Sequence, residues 1–163
     1  TSFGEGYAQM KKLLNSLKKL KLQKIILWPN IDAGSDDLSK AIREFRENLK
    51  NHNIHFFRNF SPEDFLKILN NCKCAVGNSS SFLREGSFFG TPVVLIGDRQ
   101  KNRERSNNVI EVTNNSKNII NAINSQINHG RYKSSKIYGY GNASKKIALR
   151  ISKIKLKKHI HNK

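Results

Sequence analysis

Apolar residues along the chain follow two spacings, one typical of strands and one typical of helices. The compact apolar run at 24–28, stopped by Pro29, predicts the first of five strands, while apolar residues recurring every three or four positions predict amphipathic helices. Predicted strands cover residues 24–28, 54–57, 74–76, 92–96 and 108–112. Predicted helices cover residues 6–20, 35–49, 62–69, 82–89, 116–128 and 142–158.

Strands that alternate with helices through short connections predict an α/β domain. We expect a Rossmann-like, doubly wound parallel sheet, in a single domain covering residues 1–163. Residues 25–28 are continuously apolar, so we expect strand 24–28 to be buried on both faces. Cys72 and Cys74 suit neither a disulfide scaffold nor a zinc site, and we place them in a buried strand. By composition, residues 130–142 form the loosest stretch.

The formal net charge of +18 favours an anionic ligand. The basic residues are spread along helices and do not cluster beside aromatic residues, which makes nucleic acid an unlikely partner. A basic nucleic-acid-binding module is nevertheless kept as an alternative, supported by charge alone. No apolar run approaches the roughly 20 residues of a membrane span, and no signal-peptide pattern opens the chain. We therefore expect a cytoplasmic protein without a membrane partner.

The turn at residues 77–81 (Gly-Asn-Ser-Ser-Ser) is the first candidate for ligand chemistry, because it lies between a predicted strand and a predicted helix. Gly77 permits a sharp turn, and the serines offer hydroxyls beside the free N–H groups of a helix start. A helix start carries partial positive charge and suits a diphosphate. Glu85 lies one helical turn after Ser81 and can accept hydrogen bonds from a ribose diol. A serine cap beside a solvated glutamate is the purely structural alternative.

Two further segments directly follow predicted strands, where ligands of parallel sheets bind. Segment 97–105 contains four basic residues, and arginines such as Arg99 and Arg103 grip phosphate oxygens; a solvated loop is the alternative. Segment 29–37 places Asn30 at a strand end. Its aspartates lack calcium-loop spacing and are explained as acids at a helix start, so we expect no metal. No histidine forms a catalytic pattern with a carboxylate or cysteine, and no catalytic residue is assigned.

Together, these segments resemble the UDP-N-acetylglucosamine 2-epimerase family, especially the hydrolysing members of sialic-acid-type sugar pathways. The resemblance runs in family order across most of the chain. Its stretches are Trp-Pro-Asn-Ile-Asp-Ala-Gly-Ser at 28–35, Gly-Asn-Ser-Ser at 77–80, Arg-Glu at 84–85, Gly-Thr-Pro-Val-Val at 90–94, Gly-Asp-Arg-Gln at 97–100, Arg-Glu at 103–104 and Ser-Lys-Ile-Tyr-Gly-Tyr-Gly-Asn at 135–142. Phe82 departs from the family pattern, where many members have glycine.

The resemblance implies a GT-B-type architecture, in which a UDP-sugar lies between two Rossmann-like domains. This chain would be the C-terminal, nucleotide-sugar-binding domain, while the proton-transfer carboxylates would belong to an N-terminal domain outside it. The fragment alone is then expected to be inactive, the full protein to be a homo-oligomer, and no cofactor is expected. The UDP-binding residues implied are Asn30, Phe60, Ser61, Ser79, Ser80, Ser81, Glu85, Arg99 and Arg103, with Phe60 and Ser61 beside the uracil.

The implied reaction eliminates UDP from UDP-N-acetylglucosamine to give a 2-acetamidoglucal. Hydrolysing members then add water and release N-acetylmannosamine and UDP. This domain would stabilise the pyrophosphate leaving group. An epimerase acting on a related UDP- or GDP-linked diacetamido sugar is the nearest alternative, because the candidate residues contact nucleotide and phosphate and do not report on the sugar.

Overall fold

The computed structural model describes residues 5–29, 35–49 and 53–154, and each predicted element has a counterpart there. The helices are α1 Glu5–Lys18, α2 Ser35–Glu47, α3 Pro62–Asn71, α4 Ser80–Phe89, α5 Ser116–His129 and α6 Ala143–Ser152. The strands are β1 Lys24–Leu27, β2 Ile54–Phe57, β3 Ala75–Gly77, β4 Val93–Ile96 and β5 Val109–Val112. The last helix therefore ends earlier than predicted. None of the helices in these ranges is long and apolar enough to cross a membrane.

The strands pair in parallel, which confirms the α/β class, but they form two sheets in the described residues where one was predicted. β1 pairs with β2, and β4 lies between β3 and β5. Parallel pairing follows from the helical crossovers that return the chain to the same end of the sheet. This arrangement agrees with a Rossmann-like half of a GT-B architecture.

Two apolar clusters fill the spaces on either side of the three-stranded sheet. Consecutive β4 residues Val93, Val94 and Leu95 are each 0% exposed, so this central strand is covered on both faces. One cluster joins α3 and α4 to the sheet, and the other joins α5 to the opposite face, with α1 side chains packed against it. Because α1 also packs against α2, it connects the three-stranded sheet to the part of the fold that carries β1 and β2.

β1 is buried on one face only, so the prediction for this strand was wrong. Ile25 and Leu27 are 48% and 37% exposed, and Phe57, which lies opposite Leu27 in β2, is 40% exposed. On the other face, Phe45 of α2 packs edge-on against Phe56, with ring centroids 6.4 Å apart. A continuous apolar run does not reveal whether helices cover one face of a strand or both.

The two cysteines flank β3, which corrects the prediction that they lie within a strand. Cys72 caps the C-terminus of α3, and its N–H donates to the Ile68 carbonyl at 2.8 Å. Cys74 immediately precedes the strand. α3 extends two residues beyond its predicted end, and the strand begins correspondingly later. Burial raises the pKa of the Cys72 thiol, and burial also raises the pKa of Cys74, to about 12.

Candidate functional site

The turn after β3 leads directly into α4, which begins at Ser80, two residues earlier than predicted. Ser79 is the N-cap: its Oγ accepts from the N–H of Ser81 at 3.3 Å, and its carbonyl accepts from the N–H of Phe82 at 3.2 Å. Gly77 has a φ of 146°, a backbone conformation that favours glycine. The first N–H groups of a helix have no intrahelical acceptor, and the helix dipole is positive there. This end of α4 can therefore receive an anion.

The 97–105 loop contacts this turn through one buried side chain. Gln100 is only 6% exposed, and its Nε2 donates to the carbonyl of Asn78 at 3.0 Å. β3 and β4 are adjacent parallel strands, so the segments that follow them emerge at the same sheet edge. Arg99 and Arg103 are exposed on this loop. The structure thus brings the serine turn and the basic loop together.

Arg105 holds the 97–105 loop in shape. Its Nε and Nη2 form a bidentate pair with the Glu111 carboxylate of β5, at 3.0 and 3.1 Å. The same guanidinium donates to the carbonyls of Gln100 at 2.9 Å and Lys101 at 3.3 Å, and also to that of Arg103. The sequence alone does not distinguish Arg105 from the candidate phosphate ligands of the same loop. Its hydrogen-bond partners come together only when the chain folds.

Residues 131–138, which we call the strap, brace both α4 and the loop. The N–H of Tyr132 donates to the carbonyl of Gly90 at 2.9 Å, next to the end of α4. Further along, the hydroxyl of Tyr138 donates to the carbonyl of Glu104. As predicted, residues 130–142 contain no helix or strand, but hydrogen bonds anchor the strap at Tyr132 and Tyr138. The composition of the strap predicts that it forms neither helix nor strand. Its polar groups instead form hydrogen bonds with other segments of the chain.

Two buried oxygens near the turn have no hydrogen-bond partner among the described residues. They are Oε2 of Glu85, on α4, and Oε1 of Gln100. The other Glu85 oxygen, Oε1, lies 3.5 Å from Nη2 of Arg84. A helix start that offers donors, beside the partly exposed carboxylate of Glu85, matches a ligand that carries both phosphate and hydroxyl groups.

Phe60 and Ser61 follow β2, and no hydrogen bond within the described ranges joins either to the 77–81 turn. Ser61 is the N-cap of α3: its Oγ accepts from the N–H of Asp64 at 3.2 Å and donates to Oδ2 of Asp64 at 2.9 Å. That second bond holds the pKa of Asp64 below its usual value. The ring of Phe60 packs against Phe57, with centroids 4.8 Å apart. Asn30 lies outside the described residues.

A cleft of about 600 Å³ opens where β1 and β2 end. Its walls combine three arginines with three aromatic side chains, and they comprise Trp28, Pro29, Arg43, Arg46, Glu47, Phe56, Phe57 and Arg58. Guanidinium planes and aromatic rings together suit stacking against a planar ligand. Phe57 also contacts Phe60, so the cleft adjoins the segment that the resemblance places beside uracil. These arginines were not predicted as site residues, although the spacing of Arg43 and Arg46 places both on one face of a helix.

Comparison with known proteins gives consistent matches. A family model for UDP-N-acetylglucosamine 2-epimerase matches residues 1–152. A UDP-N,N'-diacetylbacillosamine 2-epimerase (hydrolyzing) of Legionella pneumophila is 30% identical over 155 residues, covering 95% of this chain and 40% of the relative. A GDP/UDP-N,N'-diacetylbacillosamine 2-epimerase (hydrolyzing) of Campylobacter jejuni is 36% identical over 106 residues, covering 63% of this chain and 27% of the relative. A UDP-N-acetylglucosamine 2-epimerase of Neisseria meningitidis is 29% identical over 117 residues, covering 72% of this chain and 30% of the relative.

The chain spans less than half the length of these curated relatives. The family match includes both β sheets, the serine turn, the basic loop and the strap, so it covers every segment from which the candidate site is built. It takes in 152 of the 163 residues. The chain therefore belongs to the UDP-N-acetylglucosamine 2-epimerase family.

Proposed function

We propose that this chain is the UDP-binding domain of a hydrolysing UDP-sugar 2-epimerase, with UDP-N-acetylglucosamine as the substrate and N-acetylmannosamine and UDP as the products. The main support is the start of α4, where the N-terminal end of a helix and three consecutive serines lie beside the basic loop that Gln100 holds against the turn. Donors grouped in this way suit a diphosphate. The family match supports UDP as the nucleotide.

Each part of UDP has a proposed set of contacts. The diphosphate is bound by Ser79, Ser80 and Ser81, with the N–H groups of Ser79 and Ser80 as backbone donors, and its charge is balanced by the basic loop. Glu85 accepts hydrogen bonds from the ribose hydroxyls through its partly exposed carboxylate. The base occupies the arginine-lined cleft beside Phe60. The remaining candidates in this assignment are Asn30, Ser61, Arg99 and Arg103, of which Ser61 has its hydroxyl engaged by the start of α3.

In the proposed mechanism, this domain binds and stabilises the leaving group, UDP. Elimination breaks the bond between the anomeric carbon of the sugar and the oxygen of the β-phosphate, so negative charge accumulates on the departing diphosphate. Fixed N–H groups and arginines stabilise that charge more in the transition state than in the bound substrate. We place the proton-transfer groups in the part of the relatives' length that this chain does not span, and we therefore expect no turnover from the chain alone.

A diacetamido sugar is the second candidate substrate, favoured by one specific observation. Two of the relatives are named for N,N'-diacetylbacillosamine, and one of them matches 95% of this chain. Both candidate substrates carry the same leaving group when linked to UDP, so the contacts assigned here serve either. Comparing the turnover of UDP-N-acetylglucosamine and UDP-N,N'-diacetylbacillosamine by the full-length protein distinguishes them, because only the true substrate releases UDP efficiently.

Calorimetric titration with UDP tests the nucleotide site. We expect measurable binding to the chain, weakened about tenfold by Arg99→Ala and by Ser79→Ala, because each change removes a donor to phosphate. Arg150→Ala is the control, since this arginine is exposed on α6, outside the proposed site. No binding of UDP, or binding that both site variants leave unchanged, would contradict the proposal. Strong binding of oligonucleotides with a steep salt dependence would instead favour a nucleic-acid-binding module.

A further inference from the structure

Gln100 occupies an unusual position for a glutamine in a charged loop, because its side chain is almost wholly enclosed. Its exposed fraction is 6%, its Nε2 donates to the carbonyl of Asn78 at 3.0 Å, and its Oε1 is buried without a partner in the described part of the chain. Only the amide nitrogen can donate to a carbonyl, so this contact fixes which way the amide faces. The side chain therefore has one defined orientation against the turn.

The carbonyl that Gln100 holds belongs to the peptide unit that joins Asn78 to Ser79. A trans peptide is planar, and its C=O and N–H groups point in opposite directions. Fixing the carbonyl of Asn78 therefore also fixes the direction of the Ser79 N–H, which points away from Gln100. Ser79 is the N-cap of α4, so this N–H lies at the helix end that we propose for the diphosphate.

The backbone of Gln100 is itself held within the loop. Its carbonyl accepts from Nη2 of Arg105 at 2.9 Å and from the N–H of Arg103 at 3.0 Å. Arg105 in turn pairs with Glu111 on β5. A continuous series of contacts thus runs from β5, through the loop and Gln100, to the N-cap of α4.

We propose that Gln100 is a positioning residue of the diphosphate site, which aims the N–H of Ser79 at the ligand by holding the carbonyl of Asn78. This inference rests on the proposed function, since it presupposes a diphosphate at the start of α4. It has a specific consequence: loss of the Gln100 amide weakens the contribution of the diphosphate to binding and leaves that of the nucleoside unchanged.

The test compares the dissociation constants of UDP and uridine for the wild-type chain and for Gln100→Met, which retains the length of the side chain but lacks the donor. We expect UDP to bind about five- to tenfold more weakly to the variant, and uridine to bind equally well. The matched control is Gln126→Met. Gln126 is also buried, at 0% exposure, but its Nε2 donates to the carbonyls of Val93 and Asn108, at the amino ends of β4 and β5. Its Oε1 accepts from the hydroxyl of Tyr132 in the strap at 2.8 Å, so the control also reports any indirect effect of loosening the strap. Its substitution should lower stability without changing the ratio of the two constants.

An unchanged ratio of UDP to uridine affinity in Gln100→Met would overturn the inference while leaving the proposed function intact. An equal change of that ratio in Gln126→Met would also overturn it, because general destabilisation would then suffice. If UDP binds the wild type no more tightly than uridine does, the proposed diphosphate site fails, and the inference fails with it.

A second variant and a spectroscopic measurement guard against a folding defect. Gln100→Leu also lacks the donor to Asn78 and adds no charge beside the diphosphate, so it should reproduce the selective loss of UDP affinity. In the wild type, titration with inorganic pyrophosphate should shift the NMR signals of the Ser79 N–H and the Gln100 side-chain amide together. Pyrophosphate binding that moves neither signal would contradict the inference.

Discussion

Replacing Gly90 with alanine adds one methyl group at a point where the strap leaves no room for it. Gly90 caps the C-terminus of α4 with a φ of 68° and a ψ of 24°, in the left-handed region. A Cβ at this position would lie 2.1 Å from the carbonyl oxygen of Tyr132 and 2.9 Å from its carbonyl carbon. Both contacts involve backbone atoms, so neither can be relieved by rotating a side chain.

The expected destabilisation has two parts. The left-handed conformation costs alanine about 1 kcal/mol more than glycine. The clash must also push the strap away, which breaks the 2.9 Å hydrogen bond from the Tyr132 N–H to the Gly90 carbonyl. Losing that bond and the packing around it adds about 2 kcal/mol. We therefore expect Gly90→Ala to lower the free energy of unfolding by about 3 kcal/mol.

Urea unfolding followed by circular dichroism measures this loss, and Gly97→Ala is the matched control. Gly97 has a similar φ of 74°, but a Cβ there would meet nothing within 4 Å. The control should lose only the conformational part, about 1 kcal/mol. Equal losses in the two variants would show that the strap yields easily to the methyl group, and would refute the claim that it rigidly braces α4.

Two other predictions concern the cleft and the buried thiol. Trp28, the single tryptophan, lines the cleft, so UDP should change its fluorescence; an unchanged spectrum at UDP concentrations that saturate the chain by calorimetry would place the base elsewhere. Burial raises the pKa of Cys74 from 9.0 to about 12, so the folded chain should protect this thiol from iodoacetamide at about pH 8, and rapid labelling detected by mass spectrometry would contradict its burial. Because the folded-state pKa is the higher one, the stabilising contribution of this thiol is complete below pH 9.0 and is lost as the pH rises towards about 12, which thermal melting can follow.

Local signals explain why the elements were predictable from the sequence. Ser61 followed by Pro62 marks the start of α3, and Gly90 marks the end of α4, because caps depend on the chemistry of one or two residues. The serine turn was recognisable for the same reason. Apolar spacing located the strands, but it did not indicate how they divide into two sheets or which face of β1 is open, since those depend on packing between distant segments.

The supporting structure of the candidate site could not be predicted, because its contacts join residues far apart in the sequence. Gln100 and Asn78 are 22 residues apart, and Tyr138 and Glu104 are 34 residues apart. Arg105 is one of four basic residues in one short segment, and the carboxylate of Glu111 and three backbone carbonyls give it a structural role. No spacing rule within the loop predicts that role.

The strap has a consequence for the order in which the protein is made. Every residue proposed to touch UDP lies at or before position 103, whereas Arg131 of the strap donates to the carbonyl of Phe89, 42 residues earlier in the chain. On a ribosome, the ligand-binding end of α4 is synthesised well before the segment that braces its other end. A nascent chain halted at residue 120 would contain all the proposed contacts and still lack the strap. Competence to bind nucleotide should therefore arise late in synthesis, when the strap emerges and docks.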